Sequence, residues 1–301
     1  MPRGPLLALL FALLVLAGDR LIAAGLRAVV ESTPQVHALL YAGRAEPVDI
    51  LFMGSSRSRE HFPAELIVRR TGRSATNLGW GGLSSEQVEA IFLDFIDRVG
   101  PPRVLVLEVT SPEVDQLMIR NLRLFERDSR RISALVAEKE PMLHTLDSLF
   151  ELLRYNNKLF FDMLRYDLSE EDYLTDERID RRTLQRIRRE NRIEWSWRQE
   201  DIDATANILA RAHELGISVA AVITPMLPDY RRRLDGFTEW RERVKQALPA
   251  GVRLWDYSSA IGSTARFRDD LHLNRRGVMQ LIKRMQQDGV PGITGSAASG
   301  K

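Results

Sequence analysis

Five short stretches along the chain, the clearest of them continuously apolar, read as strands, and between most of them apolar positions recur every three or four residues. The stretches are Val48–Met53, Ser74–Leu78, Val104–Val109, Ile217–Thr224 and Val252–Tyr257. Continuous apolar runs with β-branched residues fit buried parallel strands, and Val104–Val109 is the clearest of them. Helices are predicted between them. Pro63 to Arg70 ends on Gly72, and Ser84-Ser85-Glu86-Gln87 opens a helix whose apolar positions are Val88, Ile91, Phe92, Phe95 and Ile96. Gly100-Pro101-Pro102 closes it. Later helices are expected at Ile202–Leu215 and Thr238–Ala247, and after Asn274, where Val278, Leu281, Ile282 and Met285 share a face. Strands alternating with helices predict a three-layer α/β/α, flavodoxin-like fold with a parallel sheet of about five strands and right-handed crossovers.

Residues 113–200 break the alternation. Leu143, Leu146, Leu149, Phe150 and Leu153 trace one helical face, and Arg178 to Arg192 is a charge-rich helical pattern with Ile179, Leu184 and Ile187 as its apolar positions. A helical insertion is expected here, over or beside the crevice at the strand ends. Its arginine run suits a solvated, ion-paired face, or an anionic polymer or lipid headgroups. Trp195 and Trp197 suit core or rim packing, or stacking on a sugar.

The N-terminus carries the other departure. Arg3 precedes the unbroken apolar stretch Pro5–Ala17, the layout of an export signal. The apolar pattern then continues through Leu21–Leu26 past the pair Asp19-Arg20, long enough to span a bilayer. Residues 1–30 are therefore expected to stay as a membrane anchor rather than be cleaved, with a folded domain at 46–290 held outside the cytoplasm and a disordered tail at 291–301.

Composition narrows the chemistry. With 301 residues at 44% hydrophobic content, the chain can bury a large core. Lys and Arg number 43 against 41 Asp and Glu, a net charge of +2, which gives no reason to expect nucleic acid as a partner. The absence of cysteine removes disulfides, thiolate nucleophiles and thiolate metal ligands. No clustered His and carboxylate spacing suggests a metal, and no sequence signal calls for a cofactor.

Two short stretches carry the candidate chemistry. The first apolar run stops on Gly54-Ser55-Ser56, which delivers a hydroxyl to the carboxyl end of a strand, where open α/β sheets bind ligands. Asp269-Asp270-Leu271-His272 stands before the last helix, where a final crossover would return to the same crevice. A serine hydroxyl needs an imidazole to take its proton, and the imidazole needs a third group to fix its tautomer. Ser56, His272 and Asp269 can supply these. Gly79-Trp80-Gly81-Gly82 lacks nucleotide-loop spacing and suits bare backbone amides facing an oxyanion.

On these blocks the chain resembles the SGNH, or GDSL-like, hydrolase superfamily. Gly54-Ser55-Ser56-Arg57 resembles its first block and Asp269-x-x-His272 its last. Asn77-Leu78-Gly79-Trp80-Gly81-Gly82 resembles the second, with Gly82 as the oxyanion glycine by spacing and Gly79 as the alternative. The third block departs: Val109-Thr110-Ser111-Pro112-Glu113 stands where Gly-x-Asn-Asp is expected, so the family's oxyanion asparagine is missing or replaced. The Gly-Ser-Ser variant, the apolar N-terminus and the insertion look closest to the membrane-anchored branch that includes alginate O-acetylation proteins and the D-alanine transfer protein DltD.

The resemblance implies a serine esterase or O-acyltransferase acting on acylated cell-surface glycan or another acyl ester, working with a membrane-bound O-acyltransferase. It implies Ser56, Gly82, Gly79 and Asn77 around the oxyanion; Arg57 and Trp80 are expected as substrate contacts, and His61, five residues after Ser56, as a substrate contact or as a support behind the site. A catalytically idle glycan-binding or assembly subunit on the same fold is the rival reading.

Overall fold

The computed structural model describes residues 3–33, 40, 41, 43, 46–110, 116–165 and 174–294. The chain divides into two compact units, one of residues 1–45 with 116–167 and one of 46–115 with 168–301. The expected insertion is therefore shared between them. Of the third-block stretch, Ser111, Pro112 and Glu113 lie outside the described residues, as does the expected tail from 295 onward.

The second unit is built on a five-stranded parallel sheet. Its strands are β1 (Ile50–Met53), β2 (Ala75–Asn77), β3 (Val104–Glu108), β5 (Ser218–Ile223) and β7 (Leu254–Asp256), in spatial order β2-β1-β3-β5-β7. The short strands β4 (Ile193–Glu194) and β6 (Leu234–Asp235) pair separately and in parallel. Counting only the five sheet strands, the order is second, first, third, fourth, fifth, the doubly wound flavodoxin-like arrangement with its switch point between β1 and β3. Register places Met53 beside Leu107 and Glu108 beside Val222, so three adjacent strands end at one level.

Burial explains why the alternation is so regular. All four residues of β1 and all five of β3 are buried, as befits strands covered on both faces. Helix Ser85–Arg98 opens with the expected capping box, Ser84 accepting from the Gln87 amide while the Gln87 side chain accepts from the Ser84 amide. Helix Arg275–Asp288 is capped by Asn274 and presents Val278, Leu281, Ile282 and Met285 to the core. Ile293, within the stretch expected to be tail, is buried in that core too.

Residues 174–198 also belong to this unit. Leu174 and Ile187 enter its core, and Ile179, Leu184 and Ile193 pack against it. Helix Arg181–Arg189 is capped by Asp180. Trp195 packs edge-on against Phe237 and Trp240, a packing role rather than an exposed sugar platform.

The first unit is helical. Its N-terminal helix, Arg3–Ser32, contains a 29-residue stretch, Gly4–Ser32, long and apolar enough to cross a bilayer, and little of it is buried in protein. Length and composition fit a single-pass membrane segment and equally a signal sequence. The unit also holds helices Gln116–Leu122, Arg130–Lys139, Pro141–Leu149 and Lys158–Arg165, and its turn Glu151–Tyr155 packs on the N-terminal helix. A buried pair between Arg123 and Asp147, an ion pair of His144 with Glu126 at 2.6 Å, and the stacked rings of Tyr41 and Phe125 hold them together.

Candidate active site

The site is organised by one short helix, Ser56–His61, which starts as soon as β1 ends. The chain must turn sharply between them. Gly54 has φ +139°, and a β-carbon there would sit 2.7 Å from the Glu108 carbonyl oxygen, so the turn excludes a side chain both by conformation and by the closeness of β3. The consequence is that Ser56 stands at the first helical position, at the carboxyl end of β1.

His272 reaches it from the other end of the chain. The Ser56 Oγ lies 2.9 Å from His272 Nε2, and His272 Nδ1 lies 2.9 and 3.0 Å from the two oxygens of Asp269. An anionic carboxylate can only accept, so Nδ1 carries the hydrogen and Nε2 is left as the acceptor facing the serine. Burial pushes the Asp269 carboxyl up, but the hydrogen bond and charge of His272 and the amides of Leu271 and His272 outweigh it, and the net direction is down. Asp269 is thus ionised at neutral pH. The neighbouring Asp270 moves the other way, raised by burial and by the Asp269 charge.

The loop carrying this pair is braced on all sides. Asp269 Oδ1 accepts from the His272 amide at 2.7 Å, the Arg268 amide donates to the His272 carbonyl, and Phe267 bridges to Leu273. Segment 174–179 adds two more links: the Arg275 amide donates to the Thr175 carbonyl and the Ile179 amide to the Phe267 carbonyl. Part of the expected insertion therefore supports the histidine loop.

Three further polar residues of the short helix, Arg57, Glu60 and His61, are engaged with the surrounding chain. Arg57 turns inward: it donates to Thr110 Oγ1 at 2.7 Å and to the Thr224 carbonyl, with Glu108 3.7 Å away. Glu108 in turn accepts from the hydroxyls of Thr110 and Thr224. This wholly buried network ties the ends of β1, β3 and β5 together, so Arg57, expected to meet substrate, instead fixes the helix that holds Ser56. Burial lowers the Arg57 affinity for its proton and Glu108 opposes that. Ser55 is also directed inward, its hydroxyl 3.4 Å from the Thr110 carbonyl. Glu60 pairs with Arg268 at 2.6 Å, and His61 Nε2 accepts from the Leu273 amide at 3.0 Å, so the far end of the helix grips the His272 loop. His61, another expected substrate contact, is fully buried. Burial, then the charges of Arg57, His272 and Arg268, hold it well below its ordinary value and neutral.

The second-block residues surround the helix as a frame. Asn77 spends its amide group on the chain: it donates to the carbonyls of Ser58 and Phe62 at 2.9 and 2.8 Å and accepts from the Gly79 amide at 2.8 Å. A β-carbon on Gly79 would lie 2.7 Å from the Arg59 nitrogen, which explains the glycine without assigning it to an oxyanion. Trp80 is buried, its amide directed to the Gly54 carbonyl at 3.3 Å. Gly82 adopts φ +81° at the turn. A β-carbon on Gly81 would sit 3.8 Å from that of Ser56, so the turn passes beside the serine. Tyr230, whose hydroxyl is pushed up to about 12 by burial and by Asp270, is a further polar group near this loop that no motif indicated.

Among the described residues no group of three or more His, Asp or Glu side chains is placed to hold a metal ion.

No family model matches the chain, and no curated protein matches it either. Among solved structures it is similar to a protein described as an acylhydrolase from Bacteroides fragilis, at 13% identity and a TM-score of 0.41, over 85% of this chain and 96% of that one. It is also similar to a GDSL-like lipase from Bacteroides thetaiotaomicron, at 14% identity and a TM-score of 0.37, over 84% of this chain and 97% of that one.

Proposed function

We propose that the protein is a membrane-tethered serine acyl hydrolase or acyltransferase that acts on acyl esters of a cell-surface glycan. The observation that carries the reading is the line of contacts from Ser56 Oγ to His272 Nε2 at 2.9 Å and from His272 Nδ1 to Asp269 at 2.9 Å. The Ser56 hydroxyl attacks the acyl carbonyl while its proton passes to His272 Nε2, and Asp269 stabilises the imidazolium. The oxyanion is received by the backbone amides of Ser56 and of Gly82, the amides of Gly79 and Trp80 being taken by Asn77 and Gly54. His272 then gives the proton to the departing alkoxide, leaving an acyl-serine. Water or a glycan hydroxyl, deprotonated by His272, takes the acyl group and restores Ser56. A membrane-bound O-acyltransferase supplying the acyl group is a partner that suits an apolar N-terminal helix.

The rival is a non-catalytic glycan-binding subunit. It draws on the third block, where the Thr110 hydroxyl is engaged by Arg57 and Glu108 and so does not replace the missing asparagine. Loss of one oxyanion donor costs about 10²- to 10³-fold, which slows an enzyme without abolishing it. The test is hydrolysis of an activated acetyl ester by the full chain, with and without a polysaccharide acceptor. Slow hydrolysis with acetylated polysaccharide appearing as acceptor is added supports transfer; rapid cleavage with no acylated acceptor leaves an esterase; no turnover by folded protein supports the binding subunit.

A further inference from the structure

Helix Pro141–Leu149 exposes apolar side chains on one stripe. Met142 is 71% exposed, Leu146 37% and Leu149 53%, at positions i, i+4 and i+7. Phe150 and Leu153 continue the patch into the next turn. On the opposite side of the helix Asp147 is buried against Arg123, so the apolar stripe is the face the unit leaves uncovered.

The patch is held at a defined height on the N-terminal helix. The Asp19 carboxylate, itself buried, accepts from the amides of Glu151 and Leu152 at 2.8 and 3.1 Å, and Arg20 donates to the Leu149 carbonyl at 3.1 Å. These contacts fix residues 149–152 to the helix at Asp19 and Arg20. From Gly4 to Asp19 the helix rises about 22 Å, short of the roughly 30 Å of a hydrocarbon core. Leu21 and Ile22, 75% and 56% exposed, extend the apolar surface beyond Asp19. A bilayer that accommodates this helix therefore extends past the level of Asp19 and Arg20, where the helix holds Leu149 and the residues just after it.

We propose that the exposed face of Met142, Leu146, Leu149, Phe150 and Leu153 seats in the lipid bilayer beside the N-terminal helix. This rests on reading that helix as membrane-spanning. The unit is then an in-plane platform sunk into one leaflet, and the helix is more than a tether. Lipid is the occupant because the patch is continuous with the apolar helix and fixed to it by Asp19 and Arg20; a second protein surface is the competing occupant.

The chain has no cysteine, so single nitroxide labels can be placed in the full protein. Leu10→Cys, Leu149→Cys and Glu138→Cys, with Leu146→Cys in reserve should Leu149→Cys not fold, are reconstituted in nanodiscs of phosphatidylethanolamine and phosphatidylglycerol. Collision rates with oxygen and with a water-soluble nickel chelate are compared. The expected result is an oxygen-to-nickel ratio at 149 or 146 several-fold above that at 138 and close to that at 10. A ratio at 149 equal to that at 138, with 10 in lipid, overturns the platform and leaves the anchor standing. Low collision with both reagents at 149 means a protein contact and also overturns it. Water exposure at 10 overturns the anchor reading and the platform with it.

Discussion

Both units bury charged side chains, but they differ in the apolar surface they leave exposed. In the sheet unit Arg57, Glu108 and His61 are buried in a hydrogen-bonded network, while its exposed large apolar residues among those described, Val68 and Met279, are only 37% and 36% accessible. The helical unit leaves Met142, Leu149 and Phe161 more than half exposed. Burying charge costs stability and is retained where it fixes geometry; exposing leucine and methionine costs solubility and is retained where lipid or a partner covers it. On the proposed reading the sheet unit carries the chemistry and the helical unit the location.

The largest expected effect tests that assignment directly. Ser56→Ala or His272→Ala should lower acetyl-ester turnover by about 10³-fold or more while leaving membrane retention unchanged. Ser55→Ala should cost less than about tenfold, since its hydroxyl faces Thr110 and not His272. Activity surviving in Ser56→Ala, or a larger loss from Ser55→Ala, would move the chemistry elsewhere.

Next in size is the buried network. Glu108→Ala strands Arg57 without its carboxylate and should destabilise the protein by about 3–5 kcal/mol in urea unfolding. A cost below about 1 kcal/mol would mean that the network does not hold the ends of β1, β3 and β5.

The His61 prediction concerns pH. Its folded value lies well below the ordinary 6.5, so the unfolded chain binds the extra proton first as pH falls. Its contribution is present in full above about pH 6.5 and declines below it, by at most about 1.4 kcal/mol per pH unit for one proton. His61→Gln keeps an acceptor for the Leu273 amide and removes the titration. Between pH 6.5 and 5 its stability should therefore fall less steeply than that of the wild type, and parallel slopes would show that His61 is not buried in its neutral form.

The smallest effect is on the other unit. Met142→Ser and Leu149→Ser should each change unfolding stability in mild detergent by less than about 1 kcal/mol, because both side chains are more than half exposed. A cost of 2 kcal/mol or more, of the order seen for buried side chains, would place them in a core and erase the contrast.

How much of this was legible in the sequence depends on the range of the interaction. Val104–Val109 and the Ser84 capping box are local patterns, and both took the expected form at Val104–Glu108 and Ser84. Asp269 and His272 lie three apart, so their pairing was visible in the spacing; that His272 also meets Ser56, 216 residues away, followed from the α/β alternation. What spacing could not supply was direction. Arg57 follows the serine and is placed as a substrate contact on any linear reading, yet it points to Thr110 and Thr224, because only the assembled ends of β3 and β5 offer it acceptors. Nor did spacing show that the amides of Gly79 and Trp80 are taken up by Asn77 and Gly54. The shared fate of residues 113–200 was equally hidden, since the helical period says which face is apolar and not which unit buries it.

The central claim is that Ser56 is the nucleophile activated by His272. The full chain is treated with a fluorophosphonate and the adduct is mapped by mass spectrometry in wild type, Ser56→Ala and His272→Ala. The account predicts one adduct, on Ser56, absent from both variants. An adduct on Ser55, equal labelling in His272→Ala, or no labelling of folded wild type would contradict it.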